Sequence, residues 1–305
     1  MNSQSRNLFS ENLARDGFMW IVYALASALF AGAVSILVKI GIKNTDSNLA
    51  TALRTVVVAV FAWLMVIIVG SQNDIASIDT KSFVFLVLSG LATGGSWLCY
   101  FRALQIGDVN KVVPVDKSST VLTMLLSFFL LGEGLTWIKA IAMVLIGVGT
   151  YLMIERQKVD APDSKGCKWL IYAIMSAVFA SLTTILGKIG IVGVESNLGT
   201  AIRTIVVLIM AWAIVLSKGK QHEIGNIDKK SWIYIGLSGL ATGLSWLCFY
   251  RALQEGPASV VVPIDKLSIL LTVAFGYFVL HEKLNKKPLT GLVMIVAGTL
   301  SLLLP

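Results

Sequence analysis

Five charged residues occur twice in this chain of 305 residues, each time 149 positions apart. Lys39, Arg54, Arg102, Asp116 and Lys117 return as Lys188, Arg203, Arg251, Asp265 and Lys266. All lie in or beside long apolar runs, where a charge is costly unless it meets a partner or an aqueous cavity. The chemistry open to such a set is an ion pair made and broken, or a carboxylate that takes up H⁺ or Na⁺. Asp116 and Asp265 are the only carboxylates placed for that role. Arg54, Arg102, Lys117, Arg203, Arg251 and Lys266 are the cations that could face them. The competing role for long basic side chains is to snorkel to the membrane interface. That role suits Lys39 and Lys188 best, because they lie closest to the ends of apolar runs.

A second set is polar but uncharged. Thr93, Ser96 and Trp97 recur as Thr242, Ser245 and Trp246. Thr93 and Trp97 are one helical turn apart and share a face. Tryptophan favours membrane interfaces, so two near the middle of a span are unusual. They can stack on a ligand or fill the centre of a bundle. Ser119 and Thr123, with Ser268 and Thr272, add an i,i+4 stripe below the aspartates. Their hydroxyls can line a cavity or bond the carbonyl one turn back. Ser27, Ser35, Thr183 and Thr184 could join the wall. Gly90 and Gly94, again one turn apart, signal close helix packing first. Pro114 and Pro263 fit the first turn of a helix. Glu133 and Glu282 fit helix-terminus anchors.

The elements that must position these residues follow from composition. The chain is 56% hydrophobic and 14% charged, with mean hydropathy +0.81. A soluble domain carries about 25% charged residues. Lipid is therefore the solvent, and a prokaryotic plasma membrane is the expected location. The net charge of +8 sits in short loops, which argues against nucleic acid as a partner. Three cysteines and two histidines show no metal-ligand spacing, so neither metal nor cofactor is expected. Runs of about 20 apolar residues are read at 18–41, 48–70, 82–105, 111–132, 136–154, 168–191, 197–217, 231–254, 260–281 and 287–304. A polar segment, 1–17, precedes them, and a basic linker, 156–167, divides them.

Aligned at the 149-residue shift without a gap, positions 20–154 match 169–303 at 64 of 135 places. This is a duplication into repeats 18–155 and 168–305. Each repeat has five spans, an odd number, so the second enters the membrane from the opposite side. The fold class is all-α, ten transmembrane helices in two inverted-topology repeats. Many secondary transporters are built in this way. On this reading the first set of charges and its duplicate lie at opposite mouths, with Asp116 and Asp265 as alternating gates.

The two-fold five-helix layout, the RALQ-x-G segments at 102–107 and 251–256, and the V-V-P-x-D-K segments that follow resemble the EamA family of the drug/metabolite transporter superfamily. So do LLGE at 130–133 and VLHE at 279–282. The resemblance implies ten helices, a central substrate cavity between the repeats and alternating access. It leaves the substrate open. No Walker-type loop accompanies the spans. A channel or lipid scramblase is the main competing reading, and an intramembrane lipid-modifying enzyme is a weaker one. Basic residues crowd the loops after spans five, seven and nine, which places both termini outside. The family resemblance places them inside.

Overall fold

The computed structural model describes residues 3–41, 45–106, 109–153, 168–278 and 285–304, without the side chains of 3–17, 39–41, 109–111 and 114. Glu282 and the basic linker lie outside these residues, as do the side chains of Lys39 and Pro114. Twelve helical segments form ten rods. They are α1 (Ser3–Gly41), α2 (Ser47–Val69), α3 (Thr80–Ile106), α4 (Val109–Lys117), α5 (Ser119–Leu130) and α6 (Trp137–Met153). The second repeat follows with α7 (Lys168–Gly190), α8 (Ser196–Ser217), α9 (Lys229–Glu255), α10 (Ala258–Lys266), α11 (Ser268–Phe278) and α12 (Lys286–Ser301). Six of these segments, and α10 with α11 taken together, are long and apolar enough to cross a membrane. Helix α1 begins at Ser3, so residues 3–17 of the polar segment continue the first span as helix.

Acidic side chains start the rods in both repeats. Asp46 accepts from the backbone N–H groups of Asn48 and Leu49, and its duplicate Glu195 accepts from that of Leu198. Burial acts to raise the Asp46 carboxyl, but these donors and the Asn48 amide hold it below the ordinary carboxylate value. Asp79 and Asp228 do the same for α3 and α9 through Lys81 and Ser231. Such caps satisfy backbone donors that the helix leaves free.

The two repeats interlock. Helix α3 packs chiefly on α7, and α1 on α9, so the first and third spans of each repeat pair across to the other. Helices α2 and α8, and α6 and α12, each pack on their own duplicate, which places both pairs on the pseudo-two-fold axis. Neighbouring spans within one repeat touch far less. A central space between the repeats is the consequence, walled by α1 and α3 of the first and by α7, α8, α9 and α10 of the second.

Glycines set the closest crossings. A Cβ added at Gly90 would lie 2.6 Å from Val206 Cβ and 2.9 Å from Arg203 O. At Gly239, the duplicate, it would meet Val57 Cβ at 2.6 Å and Arg54 O at 3.0 Å. Only glycine lets α3 reach α8 and α9 reach α2 so closely, and both crossings fall beside the inward-facing arginines.

The fourth span departs from expectation. It is not one continuous helix: α4 and α5 meet at Ser118, and α10 and α11 meet at Leu267. There the backbone tightens, with Ser118 N–H bonding Val115 O at 3.3 Å and Leu267 N–H bonding Ile264 O at 3.0 Å. Pro263 lies inside α10 rather than starting it, and its missing N–H leaves the Ser259 carbonyl without its ladder bond one turn before the break. The halves of the span enter earlier than the apolar run suggests. Asp116, Lys117 and their duplicates therefore end nine-residue helices, about 13 Å long. In a core of about 30 Å, that is the middle of the membrane. The expected clusters of aspartate and lysine at the mouths are thus corrected to a central position.

Candidate functional site

A cavity of about 330 Å³ lies between the repeats. Thr93, Ser96 and Trp97 of α3 face Ser245 and Trp246 of α9 across it, with Arg203, Asp265 and Lys266 also in its wall. The two expected sets, hydroxyls with tryptophans and charges, therefore meet in one place. Thr183 and Thr184 join them, with Phe249 and Tyr250.

Arg203 organises this space. Its side chain is 2% exposed. The guanidinium donates to Thr93 Oγ1 at 2.8 Å and to Ser89 Oγ at 3.3 Å. It lies 4.5 Å from the Tyr250 ring centroid and 5.1 Å from that of Trp246. Ser89 in turn donates to Thr183 O at 2.6 Å, and Thr93 to Ser89 O at 3.0 Å. Among the described residues no carboxylate pairs with Arg203. Its positive charge is held by hydroxyl oxygens and ring faces alone.

The duplicate Arg54 makes no such set of contacts among the described residues. A sequence difference accompanies this. The two repeats read SWLCYFRALQ and SWLCFYRALQ, so Tyr250 corresponds to Phe101. The ring that supports Arg203 and carries a hydroxyl is phenylalanine in the other repeat, where Lys218 lies over it at 5.3 Å. This exchange of two aromatics in an otherwise repeated segment was the available signal for Tyr250, and sequence reading passed over it.

The aspartates take serines, not cations. Ser27 Oγ donates to Asp265 Oδ1 at 2.6 Å and lies 3.2 Å from Ser245 Oγ. Ser176 Oγ donates to Asp116 Oδ1 at 2.6 Å and lies 3.4 Å from Ser96 Oγ. Each triad joins the fourth and third spans of one repeat to the first span of the other. The expected ion pairs with Arg or Lys are absent among the described residues, where the ion pairs are Lys220–Glu223 and Arg251–Glu255. The physical reason is depth. At mid-membrane the helices approach closely, and a short serine reaches a carboxylate that a lysine on the same helix end points away from. Ser176 was legible as the duplicate of Ser27.

Other residues of the two sets lie elsewhere. Arg102 bonds Gln105 at an exposed helix end, and Arg251 pairs with Glu255. Thr123 and Thr242 bond the carbonyls of Ser119 and Ser238 one turn back. They and Ser119 are not in the wall of the central cavity. Ser268, Thr272 and Lys117 line a second cavity beside it.

Beyond the cavity, Glu133 holds the repeats together, and Lys188 and Gln254 hold the ends of α7 and α9 together within the second. Glu133 accepts from Ala258 N–H at 2.6 Å and Ser259 N–H at 2.9 Å, so it caps α10 from the other repeat. Lys188 donates to the carbonyls of Leu253 and Gly256, and Gln254 to those of Ile191 and Val194. Lys188 is therefore bound rather than snorkelling. Charge-assisted bonds of this kind contribute about 1.5–3 kcal/mol each. Glu133→Ala is expected to lower stability by about 2 kcal/mol, read as an earlier midpoint of SDS-induced unfolding. An unchanged midpoint would show that Glu133 holds nothing.

The EamA-like transporter family matches this chain over residues 18–155 and 167–304. An uncharacterized transporter from Sinorhizobium sp is 43% identical over 134 residues, 44% of this chain and 95% of that protein. That relative has the length of one repeat. The uncharacterized transporter YxxF of Bacillus subtilis is 26% identical over 70% of this chain and 68% of its own. An S-adenosylmethionine uptake transporter of Rickettsia prowazekii is 23% identical over 70% of this chain and 69% of its own. One solved crystal structure superposes with a TM-score of 0.73, covering 93% of this chain and 96% of the other at 15% identity, a likeness of fold alone. With both repeats matched, and with ten rods in two inverted halves around a polar cavity, the chain is an integral membrane protein that belongs to the EamA-like transporter family.

Proposed function

We propose that this protein is a secondary transporter for a small organic solute that carries an anionic group and a planar ring, moved by alternating access through the central cavity. The observation that carries the reading is Arg203. It is a buried cation in the cavity wall with no carboxylate paired to it among the described residues. A carboxylate or phosphate on the solute supplies the missing charge. Trp97 and Trp246 flank the space where a ring would stack. Asp265 lies in the same wall and suits a positively charged group of the solute, or the coupling H⁺ or Na⁺. Interlocked repeats support alternating access, because each wall contains spans from both and exchanging their conformations exposes the cavity to either side.

The test is a ligand screen on the purified protein by thermal stabilisation, since a ligand that binds the folded state raises its melting temperature. S-adenosylmethionine comes first, because a relative bears that name. It combines a carboxylate, an amine and a planar base. Amino acids, nucleotides, organic amines and uncharged sugars follow. The expected result is stabilisation by ring-bearing anions or zwitterions, with saturable uptake and counter-exchange in proteoliposomes. Non-saturating flux would replace the carrier with a channel or scramblase. Stabilisation confined to amines would overturn the role given to Arg203.

A further inference from the structure

A second cavity, about 380 Å³, lies behind the fourth spans. Its wall holds Lys117 and Lys266, the last residues of α4 and α10, with the hydroxyls of Thr120, Thr150, Ser268 and Thr272. Lys117 and Lys266 are duplicates of each other, and so are Ile146 and Ile295 on the opposite wall. The cavity therefore sits on the pseudo-two-fold axis. In this it differs from the central cavity, where Arg203 contributes and Arg54 does not.

The two ammonium groups reach this point from opposite membrane faces. Both line the same cavity, so their charges repel, and Asp116 beside Lys117 offsets part of that repulsion. Both side chains keep solvent access while sitting at mid-membrane depth, so they face open space rather than packed protein. Among the described residues neither Nζ donates a hydrogen bond or joins an ion pair. The neighbouring carboxylates are engaged with Ser176 and Ser27. Helix C-termini favour a nearby cation, which accounts for one lysine at each helix end. It does not account for two cations that share one cavity in a membrane without a direct hydrogen bond or ion pair, where Asp116 offsets only part of the charge and a further anion would be stabilised.

We propose that Lys117 and Lys266 together bind an anionic group, a phosphate or carboxylate, whose apolar remainder lies against Ile146, Ile269 and Ile295. Such a ligand takes one cation from each repeat and bridges them on the axis, so it ties the repeats together whichever way the central cavity faces. The hydroxyls of Thr120 and Ser268 supply further donors. Two sources share this chemistry: a free small anion, or the headgroup of an anionic lipid. A route for the second exists. A smaller cavity of about 340 Å³ shares Lys117 and Thr150 and runs past Gly147 to Tyr151. Tyr151 is 56% exposed, and α6 packs chiefly on α12 and only thinly on α5.

The experiment uses the full chain, purified in lipid-free detergent. Thermal stability is measured against sodium phosphate, and separately against micelles containing phosphatidylglycerol or phosphatidylcholine, each matched for ionic strength with sodium chloride. Stabilisation by phosphate beyond chloride identifies a free-anion site. Stabilisation by phosphatidylglycerol alone identifies a lipid headgroup site. In either case Lys117→Gln is expected to weaken the effect at least about tenfold and Lys117→Arg to keep most of it, because charge is what binds. Arg203→Met is expected to leave it intact, which separates this site from the central cavity. Should Lys117→Gln not fold, Lys117→Met carries the same test, since Lys266 also lines the central cavity. No stabilisation beyond chloride and phosphatidylcholine, or an effect equal in wild type and the lysine variants, would overturn the proposal.

Discussion

Arg203→Met will weaken binding of whatever solute stabilises the wild-type protein by roughly 30-fold or more, while the ligand-free melting temperature stays the same or rises. The two halves of this expectation have separate causes. The guanidinium is buried, and it is balanced by two hydroxyl oxygens and two ring faces instead of a carboxylate. Burying a charge costs several kcal/mol, which good geometry only partly returns. Replacing such a charge by an apolar side chain of similar length is therefore neutral or stabilising. Binding behaves oppositely. An anionic group loses the cation that faces it, a cost of about 2–5 kcal/mol, or roughly 30-fold to several thousand-fold in affinity. Arg203→Lys should rescue little, because one ammonium cannot both fork to Ser89 and Thr93 and lie flat on Tyr250. Arg54→Met is the control: it lacks these contacts and should weaken binding far less in the state described here. Titration of wild type and the three variants by thermal shift decides the matter. Equal losses at Arg54 and Arg203 would mean that the asymmetry between them carries no function.

Gly291→Ala will cost about 3 kcal/mol of stability, although the repeat places alanine at the corresponding position, Ala142. The reason is the crossing of α6 and α12. A Cβ at Gly291 would lie 2.5 Å from Gly149 O and 2.8 Å from Met153 N, both backbone atoms that cannot rotate away. A Cβ at Gly149 would likewise lie 2.6 Å from Gly291 O. On the other side of the axis the contact is looser, since a Cβ at Gly298 would meet Ala142 O at 3.0 Å. Membrane helices associate through this kind of close packing, and forcing them apart also strips contacts from Ile146 and Ile295. Ala142→Gly should cost only about 1 kcal/mol, the helix-propensity difference. SDS-induced unfolding of Gly291→Ala and Ala142→Gly compares them directly. Similar midpoints would mean that the α6–α12 crossing relaxes freely and is not what fastens the repeats.

Much of this architecture was legible without coordinates. Apolar runs of span length, an ungapped self-match and an odd number of spans per repeat together require two inverted halves, because lipid permits no other disposition of such runs. The depth of Trp97 and Trp246 followed from their place in those runs. Three things were decided only by tertiary structure. The break at Ser118 and Leu267 set Asp116, Asp265 and both lysines at the membrane centre. An apolar run does not record where the helix inside it starts or tightens. The partners of the aspartates were serines on helices 60 and 238 residues away, a choice made by inter-helix distance and invisible to spacing along the chain. Last, Arg54 and Arg203 are duplicates in sequence but unlike in surroundings. Tyr250 of one half stands where the other has Phe101, and the two halves hold different surroundings for nearly the same chain.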